Sequence, residues 1–151
     1  MEECLFCKIA EKIIPAAVIF ENENYLAFLD LNPNTKGMTL VIPKKHFDSD
    51  LFEMRDQEIA LFLQAIKKAV KILKEGLKVK RVAMVIEGMG VNHLHAKLYP
   101  LYGISDEYSE NLSLKNTYFE KYQGYLSTQL GPNQSLESLI ELALEITGNQ
   151  E

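Results

Sequence analysis

The chain has 151 residues, 47% hydrophobic and 25% charged, which is the balance of one ordinary globular domain and excludes disorder over most of its length. A formal net charge of -5 lacks the basic footprint that a general duplex-DNA binder needs. The apolar runs fall far short of the ~20 residues of a membrane span. Met1-Glu2-Glu3 is not followed by the basic and then apolar segments of a secretory signal, so a cytoplasmic location is expected. In that reducing compartment Cys4 and Cys7 point to a metal or redox role before a disulfide.

In chain order, residues 5–12 suit a short helix that Ile13-Ile14-Pro15 ends. Ala17–Ile19 and Tyr25–Leu31 read as two strands of a hairpin, joined through the polar turn Glu21-Asn22-Glu23-Asn24. Asn32-Pro33-Asn34-Thr35-Lys36-Gly37 is a loop by composition, and Met38–Ile42 is a third strand that Pro43 closes. Residues 56–75 carry Ile59, Phe62, Leu63, Ile66, Ala69, Val70 and Leu73 at helical spacing, with lysines on the other face. Asp56 suits the N-cap and Gly76 the C-terminal stop. Val79–Ile86 is a fourth strand, Gly88-Met89-Gly90 a tight loop, and His93–Tyr99 a fifth strand that Pro100 stops. Residues 101–134, rich in Tyr, Ser, Asn and Gly, receive no element. A final amphipathic helix fits 136–147, capped by Ser135. The pattern predicts an α+β fold with a mainly antiparallel five-stranded sheet, one long helix and shorter terminal helices.

Chemistry concentrates in few residues. The three histidines are His46, His93 and His95. On a strand, alternation places His93, His95 and Lys97 on one face, and Leu94, Ala96 and Leu98 on the other. Gly88 and Gly90 lie just upstream and let backbone amides approach an anion. Two imidazoles, one ammonium and a glycine loop describe a phosphate site. A solvated basic strand face beside a reverse turn fits the same spacing.

Five fragments together resemble the histidine-triad family. They are Cys4-Leu5-Phe6-Cys7-Lys8-Ile9, Ile14-Pro15-Ala16, Ala27-Phe28-Leu29-Asp30, Gly37 to His46, and Gly90 to Pro100. Their order and spacing match over roughly residues 4–100, within a single domain spanning 1–151 whose C-terminal extension starts near 103. The resemblance implies a nucleotide-binding hydrolase or nucleotidyl transferase, and a homodimer. It assigns the covalent nucleotidyl intermediate to His95, with His93 orienting the site and Lys97 and the loop amides of Gly88 and Gly90 on the phosphate. Neutral imidazole is a good nucleophile near pH 7 and a competent leaving group once protonated. Asp30 matches the family's ribose-contacting acid, although taken alone it reads as a turn residue ending a strand. Asn92, next to His93, joins the nucleotide-binding set. The resemblance also implies structural zinc on Cys4, Cys7, His46 and His93, a donor set suited to a tetrahedral ion.

The chain departs from that family in four places. Lys97 replaces the third histidine of the triad, Met38 a histidine that often follows the glycine, and Ile86 an asparagine before a glycine loop that is itself shorter. The expected activity is cleavage of a nucleoside phosphoanhydride, with a purine nucleotide or dinucleoside polyphosphate as ligand and no membrane partner. The alternative is a nucleotide sensor or zinc-stabilised interaction module that has lost turnover.

Overall fold

The computed structural model of the chain describes residues 4–104 and 115–148. The chain divides into two compact units, Met1–Ile104 and Ser105–Glu151. The first unit is built on a five-stranded sheet of β1 (Val18–Glu21), β2 (Tyr25–Leu29), β3 (Thr39–Pro43), β4 (Arg81–Val85) and β5 (Ala96–Leu101). The spatial order is β1-β2-β3-β5-β4 and every neighbouring pair is antiparallel. This is the expected α+β sheet.

The β1–β2 turn follows from one side chain. The Asn22 Oδ1 accepts from the backbone N–H groups of Asn24 at 3.0 Å and Tyr25 at 2.7 Å, which closes the hairpin. β3 is buried along its whole length because helices cover both sides of the sheet's centre. On one side α2 (Asp56–Leu77) sets Phe62, Ile66, Ala69 and Leu73 against Ala27, Val41, Leu94, Ala96 and Leu98. On the other, α1 (Leu5–Ala10) sets Phe6 and Ile9 against Leu26, Phe28, Leu40 and Ile42. Burying each such large side chain stabilises by roughly 1.5–3 kcal/mol.

Several boundaries differ from those read in the sequence, each for a local reason. α1 ends at Ala10, and Lys12 enters the left-handed region at φ 63°. Asp56 is the first helical residue of α2, and the extended Arg55 before it is the cap. α2 runs through Gly76 to Leu77, which packs on the core, and Lys78 provides the left-handed stop at φ 56°. Gly37 answers that extension: at φ 81° it has no Cβ, and a Cβ there would lie 2.4 Å from Leu77 Cδ1.

The fifth strand begins at Ala96, later than His93. The backbone N–H of His93 donates instead to Val91 O at 2.8 Å, and that of Leu94 to Phe47 O at 2.9 Å. Alternation nonetheless persists through 93–98. Leu94, Ala96 and Leu98 enter the α2 side of the core, while both histidine rings meet Phe6 of α1. The strand also continues past its expected stop, with Pro100 paired opposite Val82.

In the second unit, Thr117 N–H donates to Leu130 O at 2.8 Å, and Phe119 meets Tyr125 edge to face. α3 (Leu136–Gly148) starts on Ser135, whose Oγ accepts from the Ser138 N–H. Its Leu136, Leu139, Ile140 and Ile146 are exposed. Among the described residues no helix is long and apolar enough to cross a membrane.

Candidate active site and metal centre

α1 carries a thiol at each end of one helical turn. Cys4 sits at its N-cap and Cys7 three residues on, so both face the same way. His46 follows β3, and His93 precedes β5. The tertiary fold brings all four together, with one donor atom from each residue lying within 4.8 Å of the others. Cys4 Sγ is 3.3 Å from His93 Nδ1, Cys7 Sγ is 3.5 Å from the same nitrogen, and Cys7 Sγ is 3.4 Å from His46 Nδ1.

Those separations suit a metal. Tetrahedral ligands with metal–sulfur and metal–nitrogen bonds of about 2.3 and 2.0 Å stand roughly 3.3–3.8 Å apart. The histidine beneath is prepared as well. His93 is fully buried, and its Nε2–H donates to Pro43 O at 2.8 Å, which leaves the Nδ1 lone pair for the thiols' side. Burial first, then the neighbouring His46 and His95, hold its imidazole below the ordinary histidine range despite the Pro43 bond. It is therefore neutral at pH 7. Both cysteines are free of disulfide, and burial together with Cys4 pushes the Cys7 thiol up to about 11. A bound cation would reverse that balance and favour thiolate.

His95 lies two residues along, 3% exposed, with its ring 5.3 Å from the Phe6 ring in an edge contact. Its Nδ1 is 2.7 Å from His93 O. A carbonyl only accepts, so Nδ1 carries the proton and Nε2 carries the lone pair. Nε2 has no protein partner, yet no buried side-chain nitrogen or oxygen among the described residues lacks one. Nε2 is therefore not completely enclosed by protein.

The glycine loop leads directly into this segment. Gly88 has φ 71°, and Ser49 Oγ donates to its carbonyl at 2.7 Å. Asn92 clamps the same neighbouring turn. Its Oδ1 accepts from Ser49 N–H at 3.0 Å, and its Nδ2 donates to Asp48 Oδ1 at 2.9 Å. Gly90 has φ 91°, with no atom within 4 Å of where a Cβ would stand.

Lys97 lies on β5 opposite Leu40 on one side and Val85 on the other. Its ammonium is ion-paired with Glu87, a group the sequence reading passed over. The two side chains are 24% and 11% exposed. Tyr99, next on that face, has its phenol held above the ordinary range by burial first; Lys97 pulls it down, while Glu87 and Asp30 push it up. These four groups thus share one neighbourhood. Asp30 itself follows β2, and its Oδ1 accepts from Asn32 N–H at 2.7 Å, so one carboxylate oxygen closes a turn. Met38 is buried, and Ile86 packs against the α2-side core, so neither offers a polar group.

Phe6, Pro43, Ser49 and Glu87 are the contributors that sequence reading missed. Only Glu87 left a signal there: it precedes the loop glycine and lies ten positions before Lys97, close across a β4–β5 pairing.

The likeness of the chain to known proteins concerns its family and fold. The chain is 44% identical over 103 residues to an uncharacterised HIT-like protein of Methanocaldococcus jannaschii, covering 66% of this chain and 79% of the relative. It is 37% identical over 98 residues to the adenosine 5'-monophosphoramidase of Schizosaccharomyces pombe, covering 64% and 73%. A Streptococcus mutans protein of known crystal structure superposes with a TM-score of 0.70 at 29% identity, covering 100% of this chain and 87% of that one. The HIT domain family matches residues 11–102, and with the sheet, the paired histidines and these relatives the chain belongs to the HIT domain family.

Proposed function

We propose that this protein is a nucleotide hydrolase that works through a covalent intermediate on His95. The observation carrying the reading is the 2.7 Å contact that turns His95 Nδ1 to His93 O and leaves Nε2 without a hydrogen-bond partner among the described residues. In the first step Nε2 forms a bond to the α-phosphorus of a nucleoside phosphate derivative. The bond from phosphorus to the leaving group breaks, and the leaving group departs with its electron pair. Loop amides around Gly88 and Gly90 steady the phosphate oxygens. Water then attacks the same phosphorus, the phosphorus–Nε2 bond breaks, and a nucleoside monophosphate is released. The oxygen of Asp30 not used in its turn is available to a ribose hydroxyl.

The leaving group is the finer question. Dinucleoside polyphosphates, cleaved at a phosphoanhydride, remain the proposed class. The name of the Schizosaccharomyces pombe relative makes an adenosine phosphoramidate the natural second substrate to assay. Zinc on Cys4, Cys7, His46 and His93 would fasten α1 to the sheet, and no step of the reaction uses it.

A second reading, nucleotide binding without turnover, has its own support. Lys97 is paired with Glu87, and Met38 and Ile86 are apolar. One experiment separates them. The protein is incubated with diadenosine tetraphosphate and with adenosine phosphoramidate, and AMP release is followed by chromatography. Release that disappears in His95→Ala supports the hydrolase. AMP binding by calorimetry with no release from either substrate supports the binding module.

A further inference from the structure

We propose that Lys97 and Glu87 form a latch that fixes the glycine loop, which makes Lys97 a positioning residue rather than a direct phosphate contact. The inference rests on the reading that this site holds a nucleotide phosphate, and it explains how the phosphate cradle keeps its shape.

The register places Lys97 opposite Val85, the last residue of β4. Glu87 lies two residues beyond that strand end and turns back across the ladder to the Lys97 ammonium. Both side chains are largely shielded from water. Moving the ammonium toward a substrate would break an ion pair shielded from water on both sides. Lys97 therefore stays with Glu87, and its cation is balanced before any substrate arrives.

The loop is also tied on either side of Gly90. Gly88 O accepts from Ser49 Oγ, and a Cβ at Gly88 would stand 3.0 Å from Ser49 O. Asn92 holds Ser49 N–H and Asp48 at the same time. Between these ties, Gly90 faces open space at φ 91°, and Met89 is exposed. The loop is thus fixed at both ends and open in its middle. That arrangement suits a backbone anion cradle whose donors must already be aimed when charge develops on the phosphate.

The latch and a direct phosphate contact predict opposite effects for one substitution. If Lys97 were a phosphate ligand held back by Glu87, Glu87→Gln would release it and tighten anionic ligands. If the pair is a latch, Glu87→Gln loosens the loop just as Lys97→Met does. The test uses both single variants and the reversed pair, Glu87→Lys with Lys97→Glu. Amide hydrogen exchange is followed over residues 86–92, AMP affinity by calorimetry, and kcat and KM on the better of the two substrates. The latch predicts faster exchange in that segment for both single variants. It also predicts a fall in kcat of roughly 10- to 100-fold, as expected when reacting groups are slightly misplaced. KM and AMP affinity should move less than about threefold. The reversed pair should regain exchange protection and most of kcat. Tighter AMP binding or faster turnover in Glu87→Gln overturns the latch, as does unchanged loop exchange in Lys97→Met. Failure of the unmodified protein to bind AMP overturns the nucleotide reading instead, and the exchange data report that separately.

Discussion

If Cys4, Cys7, His46 and His93 hold a metal, as their spacing permits, removing it should detach α1 from the sheet. α1 has six residues and no side-chain cap, far below the length at which a helix is stable alone. Two large side chains, Phe6 and Ile9, bury it, and together they return roughly 3–6 kcal/mol. Fixing the backbone of six residues costs roughly 6–12 kcal/mol before helix hydrogen bonds are counted. The two are close enough that ligation of the cysteines would decide whether the helix docks. A shortfall of about 3 kcal/mol corresponds to a drop in Tm of roughly 6–12 °C for a chain of this size. Elemental analysis should find about one zinc per chain. Treatment with a chelator, or Cys7→Ser, should lower Tm by that amount and accelerate amide exchange over residues 5–12, while the exchange of β3 and α2 changes little. A metal-free protein with unchanged melting and unchanged protection of residues 5–12 would refute the reasoning, because burial alone would then be holding the helix.

Three further outcomes follow from named contacts. His95→Ala should reduce turnover at least ~1,000-fold, since the nucleophile is lost, with AMP affinity within about tenfold of the original protein; near-normal rates would remove His95 from the mechanism. Phe62, fully buried on α2 and stacked on Tyr25, should cost about 3–5 kcal/mol when changed to alanine, measured by urea unfolding, and a loss below 1 kcal/mol would mean the sheet does not rely on that face of α2. Gly37→Ala combines a positive φ with a Cβ driven into Leu77, so a destabilisation of roughly 1–2 kcal/mol is expected, and an unchanged midpoint would show that the turn relaxes freely.

Much of this fold is legible in the residues because the signals are local. The apolar period of α2 and the side chain of Asn22 in the hairpin turn act over a few positions, and each appears in the structure close to where the sequence put it. The misplaced boundaries are those set by tertiary contact. Gly76 has the chemistry of a stop, yet the helix continues because Leu77 has core to reach. His93–His95 have the alternation of a strand, yet the amides of His93 and Leu94 bond to Val91 and Phe47 instead of joining the ladder. Side-chain periodicity records which way residues face and says nothing about which carbonyl each N–H will find.

The same distinction runs through the site. His95 could be proposed from sequence because a nucleophile must be a particular residue type, and few residues here qualify. Its tautomer could not, because that depends on one backbone carbonyl two residues away. Lys97 shows the consequence for chemistry. Read alone, an ammonium on the histidine face is a phosphate ligand, and it should favour substrates with more negative charge. With Glu87 beside it the pair is neutral, and Asp30 contributes a further negative charge nearby. The electrostatic pull on a long polyphosphate is then weaker than a free lysine would supply. On the proposed mechanism, selection among leaving groups then rests on loop geometry and on the surroundings of His95.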